Sequence, residues 1–124
     1  MTTTRKLAVA FAAGRGLFGA GLIAVPSRMG TSWLGPDAAK PPVHVVLRGL
    51  GARDIALSAG TVLAALQGAG LRPWLIGSVG SDLTDLAATL AAGDSLPRRA
   101  RLGTIALAGA SALAAAALLA ADDR

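Results

Sequence analysis

Six ionisable residues stand inside otherwise apolar stretches of the sequence: Arg15, Arg48, Arg53, Asp54, Asp82 and Asp85. At the centre of a bilayer each costs about 2.5–3.5 kcal/mol on insertion scales. Unpaired, the six together would cost roughly 15–20 kcal/mol, against about −0.3 to −0.6 kcal/mol gained per Leu. Three are positive and three negative, so pairing can cancel the sum. A guanidinium can meet a carboxylate through two parallel N–H···O bonds, the geometry best suited to a desolvated ion pair. A layer of this kind supports two chemistries. It can fix which helices pair and in what register, or it can hold a proton or ion on a path through the membrane.

The elements that must carry these residues are long apolar helices. Ala (29), Leu (20) and Gly (16) make up more than half of the 124 residues, and Glu, Asn, Tyr and Cys are missing. Charged residues are 15% and the mean hydropathy is +0.58. Soluble domains carry roughly 25% charged residues, so too few polar groups exist here to coat a water-facing surface. Disorder is excluded by the apolar content. A disulfide scaffold, a zinc module and a cysteine enzyme are excluded by the lack of Cys.

Four segments approach the roughly 20 apolar residues that a span needs: residues 7–25, 43–67, 73–92 and 102–121. Pro26, Pro41-Pro42, Gly68-Ala69-Gly70, Pro73 and Gly93-Asp94-Ser95 punctuate them. Proline is tolerated at a helix start, where its missing N–H would be unpaired anyway. The expected fold is a single all-α domain, a polytopic membrane protein built as a four-transmembrane-helix bundle. Arg5 and Lys6 could begin a signal peptide, but Arg15 interrupts its apolar stretch and no small-x-small site follows Val25. The first segment is therefore read as a span. Trp33 and Trp74 are read as interfacial residues on opposite sides of the bilayer. Residues 27–40 either lie along the membrane surface, with Met29, Trp33 and Leu34 dipping in, or form an irregular loop.

Depth and spacing predict that the charges meet. Asp54, Ser58 and Thr61 recur at helical spacing, and so do Ser78, Asp82, Asp85 and Thr89, so two polar stripes are expected to face each other. Arg15 lies ten residues before Val25 and Arg53 ten after Val43, about 15 Å below the same surface. A hairpin of spans two and three around Gly70 brings Asp85 level with Arg53 and Asp54. The expected layer is thus Arg15, Arg53, Asp54 and Asp85, with Asp82 one turn toward Trp74. On that register Asp82 is the least well paired, and the carboxylate best placed to titrate. Arg48 is expected to snorkel to the headgroups. His44, at the start of span two, reads as an interfacial residue.

Helices in lipid associate through small residues that let backbones approach. The ridge Ala52, Ala56, Gly60, Ala64, Gly68 is the expected contact face of span two. Gly80, Thr84, Ala88, Ala92 and Ala106, Ala110, Ala114 offer shorter ones.

The net charge is +5 and the isoelectric point about 11.4. The basic residues are scattered and aromatics are few, which argues against nucleic acid and for anionic lipid headgroups. Arg5, Lys6, Arg72 and Arg124 fall on one side of the predicted bundle, and Arg28, Lys40, Arg98, Arg99 and Arg101 on the other. With so even a balance the orientation stays open: the Arg98–Arg101 cluster argues for a cytoplasmic third loop and the Arg5-Lys6 pair for cytoplasmic termini, which the usual dominance of the first helix favours.

Several catalytic readings fail on residues. Asp82-Leu83-Thr84-Asp85 matches only the D-x-x-D opening of CDP-alcohol phosphotransferases. Leu86 and Leu90 occupy positions where that motif wants Gly and Arg, and its later Asp pair is missing. Gly14-Arg15-Gly16 follows no strand, so it is no dinucleotide fingerprint. The single His lies at a helix end, away from any Ser/Asp partner. No metal-ligand cluster is present beyond the Asp pair.

The run Leu47-Arg48-Gly49-Leu50-Gly51-Ala52-Arg53-Asp54-Ile55-Ala56-Leu57, with Trp33-Leu34-Gly35 before it and Asp82-x-x-Asp85 after it, resembles small, uncharacterised actinobacterial membrane proteins of about 120 residues. The resemblance spans Arg15 to Asp85 and implies four spans and no particular activity. A looser similarity to DoxX-like four-helix membrane proteins rests on span number and length. The chain is similar in size and span count to small multidrug-resistance transporters, which carry a Glu in the first span where this one has Arg15.

The sequence therefore leads to an expected non-enzymatic accessory or structural protein of the plasma (inner) membrane, multi-pass and without a cofactor. Its partners would be the lipid bilayer and a second copy or a larger membrane complex. The alternative is a small proton- or ion-coupled transporter acting as a homodimer. An enzyme or regulator acting on lipid or quinone has only His44 and the carboxylates behind it.

Overall fold

The computed structural model of the chain describes residues 1–122. Arg124, counted above on one side of the bundle, lies outside them. Five α-helices follow one another: α1 (Thr3–Ala24), α2 (Pro26–Leu34), α3 (Pro41–Leu66), α4 (Arg72–Ala92) and α5 (Arg98–Ala121). Short 3-10 turns at Pro36–Ala39 and Gly93–Ser95 lead into α3 and away from α4, and the described residues hold no strand.

Local chemistry explains the helix ends. Thr2 caps α1 by accepting the Arg5 N–H at 3.2 Å, a favoured role for a hydroxyl. Pro26 opens α2 directly after α1 ends. Prolines likewise stand at the starts of α3 and α4. The end of α3 is a Schellman turn. Gly68 takes φ +67°, and the Ala69 N–H reaches back to the Ala64 carbonyl at 2.9 Å. A side chain at position 68 would be strained in that left-handed conformation.

Three helices are long and apolar enough to cross a membrane: α1, α3 and α5. The sequence suggested four. Residues 73–92 do form a helix, α4, but Asp82, Asp85 and a run of Ser, Thr and Gly lower its hydropathy below that of the other three. The segment left open between a surface lie and a loop is mostly helical. In α2, Met29, Trp33 and Leu34 pack on Leu22, Ala38 and Leu47.

The helices associate as two close pairs, α1 with α3 and α4 with α5, and α3 touches α4 much less. The α1/α3 seam is made by glycine. A Cβ on Gly19 would lie 2.6 Å from the Gly51 carbonyl oxygen, and one on Gly16 would meet the Ser58 hydroxyl at 2.7 Å. Ser58 donates its hydroxyl to the Ala12 carbonyl across the same seam. On α5 the buried positions are Ala100, Thr104, Ala108, Ala112, Ala115 and Leu118.

These seams correct the small-residue ridges read from the sequence. Ala52 and Ala56 are exposed, as are Gly80, Thr84 and Ala88 on α4 and Ala106, Ala110 and Ala114 on α5. In span two only Gly60 and Ala64 of that ridge are buried, with the Trp74 ring lying against Gly60. The polar stripes point inward instead: Asp54, Ser58, Thr61, Ser78, Asp82 and Thr89 are all buried. Large apolar side chains point outward, with Leu17 75% and Leu113 74% exposed.

Candidate functional site

Arg15 sits just past the middle of α1, on the face turned to the other helices. Its Nη1 donates to Asp54 Oδ1 on α3 at 3.0 Å. Its Nη2 donates to Asp82 Oδ2 on α4 at 2.6 Å and to the Ser111 hydroxyl on α5 at 2.9 Å. One side chain therefore ties four helices together. All three charged groups are closed off, with side-chain exposures of 7% for Arg15, 5% for Asp54 and 6% for Asp82. The guanidinium also lies over the Phe11 ring, 5.5 Å from its centroid, where the negative face of the ring favours a cation.

Arg53 makes the second half of the layer. Its Nη2 lies 3.1 Å from Asp85 Oδ2 and 3.4 Å from Asp54 Oδ1. This pair is more open: Arg53 is 32% exposed and Asp85 30%. Asp54 is shared, so the five charges form one connected network.

The structure thus brings together Arg15, Arg53, Asp54, Asp82 and Asp85, but in a different order from the sequence-based layer. Asp82 is not the least well paired carboxylate. It holds the shortest ion pair to Arg15, because α4 turns Asp82 toward α1 and leaves Asp85 at the edge. Arg48 stays apart. It is exposed and donates through Nε to the Ile23 carbonyl at 3.2 Å. With Arg48 outside, the connected network holds two arginines against three aspartates. The sequence-based sum of zero becomes one net negative charge when all five are ionised.

Trp33, expected at a membrane surface, is turned inward. Its indole N–H donates to Thr104 on α5 at 2.8 Å, and its ring meets Phe18 edge-on with centroids 5.7 Å apart. Trp74 is partly exposed and covers Gly60. His44 is half-buried, and its Nε2 finds no hydrogen-bond partner among the described residues.

Between the two helix pairs lies a cavity of about 530 Å³. It falls within the roughly 300–1,000 Å³ typical of small-molecule sites. Its walls are apolar, including Phe18, Trp33, Leu50 and Leu107, and the charge network forms one side. Among the described residues no three His, Asp or Glu converge as metal ligands.

By sequence Arg5 reads as a flanking residue and not as an interior charge. It is buried, and its Nη2 donates to the carbonyls of Ala64, at 2.7 Å, and of Ala69. Its Nη1 lies 3.8 Å from Asp122. Ser111, Thr104 and Phe11 also carried no signal of their own. Each is recognisable only through the partner it meets across the bundle.

No protein-family model, curated protein or solved structure matches the chain.

Proposed function

We propose that the protein is a multi-pass component of the plasma membrane, built as a four-helix bundle whose Arg15 network locks the α1/α3 pair to the α4/α5 pair. Its role is structural or accessory, as a homo-oligomer or within a larger membrane complex, and not enzymatic. One observation carries this reading: charged side chains are buried at the centre while Leu17, Leu113 and other large apolar side chains face outward. That is the polarity of a protein dissolved in lipid. In this reading α4 is the fourth span. Its two aspartates face the bundle, so the lipid meets Ile76, Leu83 and Leu90, which are exposed. Similarity to the small actinobacterial membrane proteins points the same way.

Two experiments test the reading. The chain has no cysteine, so single cysteines at Ala69 and Ser95 can be labelled from each side of sealed vesicles without background. Labelling from opposite sides is expected, and labelling from the same side would remove α4 as a span. Native mass spectrometry after mild detergent extraction from the host tests the accessory role. A stoichiometric partner protein is expected.

The cavity favours a second reading, a small ion- or proton-coupled transporter acting as a homodimer. A bare homodimer in the same spectrum, with uptake of a solute by reconstituted vesicles, would replace the accessory role with this one.

A further inference from the structure

With all five groups ionised the charge layer is one positive charge short, and it borders the cavity. Arg15 is saturated by Asp54 and Asp82, both nearly sealed from the outside. Arg53 is shared between Asp85, at 3.1 and 3.5 Å, and Asp54, at 3.4 Å. Asp85 is the most exposed of the three carboxylates, at 30% against 5% and 6%, and it lines the cavity. The charged groups that reach the cavity are Arg15 from α1, Arg53 and Asp54 from α3, and Asp82 and Asp85 from α4. Those from α2 and α5 are neutral. An anion entering here would meet a layer that already carries excess negative charge.

The rest of the lining selects further. It is almost wholly hydrocarbon, with few polar groups to replace the hydration shell of a small inorganic cation. Phe11 is already occupied by the Arg15 guanidinium. Phe18 and Trp33 remain as aromatic walls, and ring faces attract organic cations that shed water easily. The Trp33 indole N–H is spent on Thr104, so the ring contributes its apolar surface.

We propose that this cavity binds a monovalent lipophilic organic cation, an alkyl- or aryl-ammonium, with Asp85 as its counter-charge and Phe18, Trp33, Leu50 and Leu107 around its hydrocarbon part. The site builds on the transport reading by naming what the cavity takes. Equilibrium binding tests the ligand class and vesicle uptake tests transport, so the two can fail separately.

The probe is phenyltrimethylammonium, with tert-butylbenzene as its uncharged isostere. Binding is followed in zwitterionic-lipid nanodiscs through the indole fluorescence of Trp33, in a Trp74→Phe background. Both compounds are titrated at pH 7 and at pH 9. Saturable binding of the cation is expected, weakened by about tenfold or more in Asp85→Asn, because an ion pair at low dielectric loses its attraction. Tert-butylbenzene is expected to be indifferent to that change. A second variant, Gly14→Leu, fills the cavity from α1, where an added Cβ meets nothing within 4 Å. It is expected to abolish binding while leaving the network in place. Three results would each overturn the proposal: no saturable cation binding at either pH, equal affinity for the neutral isostere, or an affinity that either variant alone leaves unchanged.

Discussion

Two buried arginines on α1 solve the same problem in opposite ways. Arg5, in the first turn, donates to backbone carbonyls of the turn that ends α3. Arg15, ten residues and about 15 Å further along, donates to carboxylates of α3 and α4 and to a hydroxyl of α5. The last carbonyls of any helix lack intrahelical partners and carry partial negative charge. A cation can therefore be held at a helix end largely by carbonyls, as Arg5 is, with its carboxylate Asp122 as far as 3.8 Å away. Midway along a helix each carbonyl already accepts an intrahelical bond, so a cation there is better met by side-chain anions. The difference teaches that burial of an arginine says little by itself. Its depth along the helices decides whether its partners are written in the sequence.

That contrast can be broken at its stronger end first. Arg15→Leu leaves Asp82 buried without a partner and Asp54 with only Arg53. Removing one member of a buried ion pair costs about 3–5 kcal/mol, so this variant is expected to lose most of its resistance to unfolding in bicelles. Arg5→Leu removes charge-assisted hydrogen bonds and the ion pair to Asp122, which is also buried but lies 3.8 Å away, a longer contact than either Arg15 pair at 3.0 and 2.6 Å. A loss of about 1.5–3 kcal/mol is expected. Hydrogen exchange should accelerate in the turn around Gly68 and stay slow at Asp54 and Asp82. A third arginine sharpens the comparison from below. Arg48 is exposed and holds one carbonyl, so Arg48→Leu is expected to change stability by no more than about 0.5 kcal/mol. Unfolding of the three variants side by side checks the order Arg15, Arg5, Arg48.

The same reasoning explains what the sequence disclosed. Asp54, Ser58 and Thr61, like Ser78, Asp82 and Thr89, stand out as polar stripes on an apolar background, and they are buried where the spacing places them. The charges that meet at mid-helix were legible because carboxylates and guanidiniums are scarce in this chain. Arg5 was not, because its hydrogen-bond partners are carbonyls, which every residue carries. The helix seams were hidden for a different reason. With 29 alanines, ridges of small residues occur on every face, and only backbone approach at Gly19 and Gly51 marks the one that is used. The rank of the aspartates also escaped, because it depends on the rotation of α4, which α5 sets by packing against it. The inward turn of Trp33 depends on α2 folding back over Leu22 and Leu47.

The claim that Arg15 locks the two helix pairs together is tested most directly by a double-mutant cycle between Arg15 and Asp82, measured as unfolding free energy in a lipid bilayer. Arg15→Leu and Asp82→Leu are each expected to destabilise strongly. The double variant leaves Asp54 with Arg53 and is expected to recover much of the loss, giving a coupling of about 1–3 kcal/mol. Additive losses in the double variant, with no coupling, would contradict the account.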